Sequence, residues 1–77
     1  MPDRNRIKDL KAKIEALIIA IPRELEAYEY YMEMAERYED ESSREMFIFL
    51  AKQELSHRDV LEKILNDLER ALAEATI

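Results

Sequence analysis

The 77-residue chain has no cysteine, no glycine, no tryptophan and only two prolines, Pro2 and Pro22. Each absence excludes something. Without cysteine there is no disulfide, no thiolate-held zinc and no iron–sulfur cluster, and the redox compartment is left open. Without glycine the tight turns of β-hairpins lack their usual residue. No useful stretch alternates apolar and polar residues with period two, so no strand is expected. Long apolar runs are missing as well. Ala16 to Ile21 is apolar but far too short to span a membrane. The basic N-terminus is not followed by the apolar core and cleavage site of a secretion signal, so the default address is the cytoplasm. Positive charge is in deficit: the net charge is −6, which argues against a general nucleic-acid role. What remains is a single small all-α domain of few long helices. Such a chain exposes much of its apolar surface and needs a partner to bury it.

The residues that are present follow helical spacing. Ile7, Leu10, Ile14, Leu17, Ile21, Glu24, Tyr28, Tyr31, Ala35 and Tyr38 alternate three and four apart, the seam of a packed helix. The pattern predicts a helix over about 6–39, kinked near Pro22, which removes a backbone donor. A helix that ends at Ile21 and restarts at Pro22 is the alternative. The unbroken phase across Pro22 favours one helix. Glu39 to Ser43 interrupts the periodicity. Ser42 and Glu45 have capping-box spacing, which predicts a second helix over about 43–74. The last residues, Ala75 to Ile77, are expected to fray, as is the start from Met1 to about Asn5. The connection is short, so the two helices should be antiparallel neighbours.

One short run stands out in the second helix. Phe47, Leu50, Leu61, Ile64 and Leu68 mark an apolar stripe, and Glu54 and His57 fill the two slots missing from it. A carboxylate buried without a partner costs several kcal/mol. A bound metal ion compensates that cost, since carboxylate and imidazole are both metal ligands. Glu24 occupies the same kind of slot on the first helix. Counted from a turn near Glu41, Glu24 lies ~25 Å down one helix and Glu54 and His57 ~20–24 Å down the other. The spacing therefore brings two carboxylates and one imidazole to one level of the core. Carboxylate-bridged dinuclear sites in four-helix bundles use twice this set, two lone Glu and two Glu-x-x-His pairs. A two-fold homodimer would complete both the bundle and the ligands.

Glu24 followed by Tyr31, then Glu54 followed by His57, resembles the rubrerythrin-type signature of the ferritin-like superfamily. A single copy in a two-helix chain is similar to an encapsulated ferritin. The resemblance extends over Ala20-Ile21-x-x-Glu24 and Leu50-Ala51-x-x-Glu54 and covers about Ala16 to Leu65. It implies that residues 1–77 form a ferritin-like half-bundle, which dimerises into a four-helix bundle within a larger ring such as a decamer. It implies iron as the cofactor, held as a di-iron centre with ligands from two subunits. Glu24 and His57 would be terminal ligands, Glu54 a bridge across the dimer axis, and Tyr31 a phenol beside the site. The implied activity is ferroxidase, the oxidation of Fe(II) to Fe(III) for storage or detoxification inside an encapsulin shell. No shell-targeting peptide is recognisable after Leu72.

Blander readings stand beside this one. Glu54 and His57 would serve as a satisfied polar pair in a metal-free helical oligomerisation module. Tyr31 alone reads as a packing aromatic, and Met32, Met34 and Met46 as gap fillers. A rubrerythrin-like peroxidase is the alternative enzyme. Without cysteine it has no rubredoxin-type iron of its own, so it would take electrons from an external donor. The joint pattern, at matched depth on matched faces, favours the metal.

Overall fold

The computed structural model describes residues 3–77. It is all-helical: α1 spans Arg4–Glu36 and α2 spans Glu41–Ala75, packed against each other as an antiparallel hairpin. The rod measures 62 × 14 × 12 Å. The expected fraying at Met1 and Pro2 lies outside the described residues. From Asp3 onward the start is ordered by a cap. The Asp3 carboxylate accepts from the backbone N–H of Asn5 at 2.9 Å and of Arg6 at 3.3 Å. Both are donors that the first turn of a helix leaves unpaired.

Helix α1 runs through Pro22 without a break, as the phase of its apolar residues requires. Its end comes three residues earlier than expected. The Arg37 N–H turns back to the Met34 carbonyl at 3.1 Å, which closes the last turn, and Tyr38 and Glu39 fall in the connection. Helix α2 starts two residues earlier than Ser43. The cap is Asp40, not Ser42: its carboxylate accepts from the Ser43 N–H at 2.9 Å. An ionised carboxylate is the stronger acceptor and also faces the positive end of the helix dipole. Hydrogen bonds from Ser43 hold the Asp40 carboxyl below its ordinary range. At the other end α2 is closed as well. The Thr76 hydroxyl donates to the carbonyls of Leu72 and Ala73, both at 3.1 Å.

Two helices can each bury only one stripe against the other. Among the described residues the buried core is accordingly just Leu10, Ala35 and Ala51. Ala51 is completely enclosed, and its small side chain lets the helix backbones approach. Near the turn, aromatic rings replace aliphatic packing. Phe47 of α2 stacks between Tyr31 and Tyr38, with centroids 6.5 and 5.4 Å away. The edges of the seam stay open. Tyr38 and Ile64, both read as seam residues, are exposed, and Met46 fills no gap within the chain. Ile18, Leu25, Phe49 and Val60 are exposed too. These residues lie on faces of the hairpin that no other helix of the chain covers.

Candidate metal centre

Glu24 of α1 and Glu54 and His57 of α2 meet at one level of the hairpin, as their distances from the turn predicted. One ligand atom from each lies within 4.8 Å of the other two. The helix geometry dictates the meeting. Glu54 and His57 are three apart and share a face of α2. Glu24 continues the inward series Leu17, Ile21, Glu24 on α1. The imidazole Nδ1 is 3.6 Å from Glu24 Oε2 and 3.9 Å from Glu54 Oε2. Both separations are too long for hydrogen bonds. They suit ligand atoms on opposite edges of a coordination sphere, since carboxylate and imidazole bind zinc-like cations at ~2.0–2.2 Å.

Two further observations bear on fit. Glu24 Oε2 is shielded from solvent and has no hydrogen-bond partner. A carboxylate oxygen left in that condition is costly unless a cation or a proton meets it. The Glu54 carboxyl is pushed above the ordinary glutamate range. The largest cause is a carboxyl–carboxyl hydrogen bond to Glu24, which exists only while one of the two holds a proton. Burial and the negative charge of Glu24 add to the shift, and His57 partly opposes it. The donor set is therefore two crowded carboxylates and an imidazole, a mixture that suits iron, manganese or zinc. A cation would offset the charge of the two crowded carboxylates and supply the missing partner of Glu24 Oε2. The residues fit a metal ion.

The raised Glu54 carboxyl sets a pH dependence. A group whose pKa is higher in the folded state favours folding below its unfolded value, and that contribution is lost as pH rises through the folded value. Ionising Glu54 thus works against the metal-free fold near neutrality. Replacement of Glu54 by Gln, which does not titrate, is expected to raise the melting temperature of metal-free protein at neutral pH. The advantage should narrow as pH falls toward the ordinary glutamate value of 4.5. Thermal melts of the two proteins across that range read it directly.

His57 is the outermost of the three, with 57% of its side chain exposed. The cluster is thus closed by the two helices on one side and open on the other. Val60 and Ile64, exposed apolar residues three and seven positions beyond His57, flank the open side. Tyr31 lies seven residues beyond Glu24, half-buried against Phe47. Sequence reasoning passed over two neighbours. Tyr30 meets Tyr31 edge to face at 5.6 Å while standing exposed at the surface. Arg58 lies one position past His57, half-buried; its Nε makes no hydrogen bond and sits 3.8 Å from Glu62 Oε1, and its terminal guanidinium nitrogen is 3.7 Å from Asp59 Oδ1. The position of Arg58 in the series Ala51, Arg58, Leu65, Leu72 was the available signal.

Comparison with known proteins agrees with this geometry. A family model for rubrerythrin matches residues 15–76. The match takes in most of both helices and all of Glu24, Tyr31, Glu54 and His57. Neither curated proteins nor solved structures give a significant match. No helix among the described residues is long and apolar enough to cross a membrane. With the match covering most of its length, the chain belongs to the rubrerythrin family of the ferritin-like superfamily.

Proposed function

We propose that two copies of this chain join about a two-fold axis at the Glu24–Glu54–His57 cluster and form a di-iron centre that oxidises Fe(II) to Fe(III). The observation that carries the reading is the convergence of two carboxylates and an imidazole from both helices, with Glu24 Oε2 left without a partner. One chain holds half of the usual dinuclear ligand set. A symmetric copy contributes the other half through the same surface. The apolar residues beside His57 support this surface as the one that closes.

Iron, when bound, supplies the one-electron Fe(II)/Fe(III) couple. The chain supplies the rest. Glu24, Glu54 and His57 would hold the metal, one set from each subunit, with Glu54 the residue shared between the two halves. The carboxylates of both subunits, four in all, offset the cationic charge and its increase on oxidation. The open side of His57 is buried by the partner, which excludes bulk water and strengthens each electrostatic contact. Dioxygen would be the oxidant in this reading: on taking up two electrons and two protons it would become hydrogen peroxide. The ring assembly, such as a decamer, and the encapsulin shell belong to this reading. In it the shell, and not the ring, would hold the mineral.

The test is Fe(II) mixed with the protein in air. Oxidation much faster than in buffer, saturating at one Fe(II) per chain, supports the reading. A rate equal to that of buffer sinks it. Oxidation driven by added peroxide but not by air would instead favour the rubrerythrin-like peroxidase.

A further inference from the structure

The side of the hairpin on which His57 stands open carries one groove and one knob. The groove, about 290 Å³, runs between the helices and is lined by Lys13, Ala16, Leu17, Ile64 and Leu68. Ile64 repeats the helical position of His57 seven residues on, so the groove opens on the side of the cluster. The knob is Met46, 51% exposed. It repeats the position of Val60, fourteen residues apart, and so stands on that side as well. Knob and groove are equally far from the cluster. At the helical rise, Met46 lies ~14 Å from the level of Glu54 and His57 toward the turn. The groove residues lie ~10–19 Å from the cluster toward the free end, centred at ~14 Å.

A two-fold axis through the cluster and perpendicular to the rod exchanges those two positions. It sets Met46 of each copy over the groove of the other. An axis along the rod sets knob against knob and leaves both grooves empty. Charge selects the same axis. Residues 3–13 hold Arg4, Arg6, Lys8, Lys11 and Lys13 against Asp3 and Asp9, a net of +3. The end of α2 beside them, 66–77, holds Asp67, Glu69 and Glu74 against Arg70, which leaves the free end at +1. Residues 36–45 around the turn hold Glu36, Glu39, Asp40, Glu41 and Glu45 against Arg37 and Arg44, a net of −3. Antiparallel hairpins lay the acidic turn of one copy beside the basic start of the other, whereas parallel hairpins set two acidic turns together. The area also suffices. A face 62 Å long and 14 Å wide is close to the ~800 Å² that each partner of a standard interface contributes. We propose that this groove seats Met46 of a second copy, twice in a dimer whose hairpins run antiparallel. The proposal rests on the dimeric reading of the cluster and names the contact that orients it. Methionine fills irregular gaps, and the gap that Met46 fills is then in its partner.

The chain has no cysteine, so introduced thiols report contacts without background. Chains carrying Met46→Cys are mixed with chains carrying Ala16→Cys or Ile64→Cys, one on each wall of the groove, and oxidised. The mixtures are run metal-free and again with Zn(II), a cation of fixed valence. Within one chain position 46 is ~25 Å or more along the rod from either groove position, so a disulfide must join two copies. Met46→Cys should link to a groove variant, and Met46→Cys on its own should not cross-link. A disulfide joining two Met46→Cys chains as the main product overturns the proposal, because it places the axis along the rod. The absence of any link to either groove variant in both metal states overturns it as well. Met46 is exposed in the single chain, so Met46→Ala leaves the hairpin intact. By sedimentation it should raise the dimer dissociation constant ~10-fold or more, and an unchanged constant overturns the proposal. Cross-linking in this register without Fe(II) oxidation would remove the ferroxidase reading alone. Rapid oxidation without the cross-link would remove the groove contact alone.

Discussion

Replacing Glu54 with Ala is expected to abolish paired-metal binding and rapid Fe(II) oxidation. Glu54 faces both other candidate ligands: hydrogen bonding with Glu24 raises its carboxyl, and its Oε2 approaches the His57 imidazole at 3.9 Å. In the dimeric reading it contacts both ions, whereas Glu24 and His57 each contact one. His57→Ala should keep weak metal binding and lose most of the oxidation rate, because one position on each ion is vacated. Tyr31→Phe should keep metal binding and alter the Fe(II) oxidation rate only modestly, since the phenol stands beside the ligands and not among them. None of these changes should unfold the hairpin. Removing a carboxylate that is crowded by another relieves desolvation and repulsion, against a cavity cost of about 1–3 kcal/mol. Stopped-flow oxidation of Fe(II) by each variant, with helix content checked by circular dichroism, separates the cases. Parent-like oxidation by Glu54→Ala would mean that the dinuclear site is wrong.

Metal removal is expected to loosen the assembly as well as silence it. In the proposed dimer four carboxylates crowd one axis, and without cations they repel. A ligand that binds only the assembled state stabilises it by ~2.7 kcal/mol at a hundredfold excess over its dissociation constant. For a domain of this size each kcal/mol moves the melting temperature by ~4–8 °C. Chelation should therefore lower the melting temperature by on the order of 10 °C and shift sedimentation toward smaller species. The folded monomer should not dominate even then. A buried core of Leu10, Ala35 and Ala51 with Ile18, Phe49, Val60 and Ile64 left exposed is too small to stand alone. Unchanged melting and unchanged sedimentation after chelation would contradict the linkage.

The hairpin was legible in the sequence because its signals were redundant. Three-four spacing, the absence of glycine and the gap at Glu39 to Ser43 all pointed to two antiparallel helices. The cluster was legible for a related reason: Glu24, Glu54 and His57 occupy slots where apolar residues were due, and the rise per residue fixes their depth. The start of α2 was misread because Asp40 and Ser42 are both good caps, and spacing to Glu45 says nothing about which acceptor is stronger. Exposure at Tyr38 and Ile64 was not legible, since a periodic pattern records which face is apolar and not whether a partner lies on it. Tyr30 was passed over because it falls off the stripe. Its contact with Tyr31 is a matter of ring orientation, which sequence spacing does not carry.

The central claim is that one chain holds half a dinuclear centre. Native mass spectrometry of iron-loaded protein tests it most directly, because it counts chains and ions in one species. The account predicts masses at even numbers of chains, each carrying one iron per chain, with no iron on the monomer. A monomer that retains iron, or an even-numbered oligomer that binds none, would contradict it.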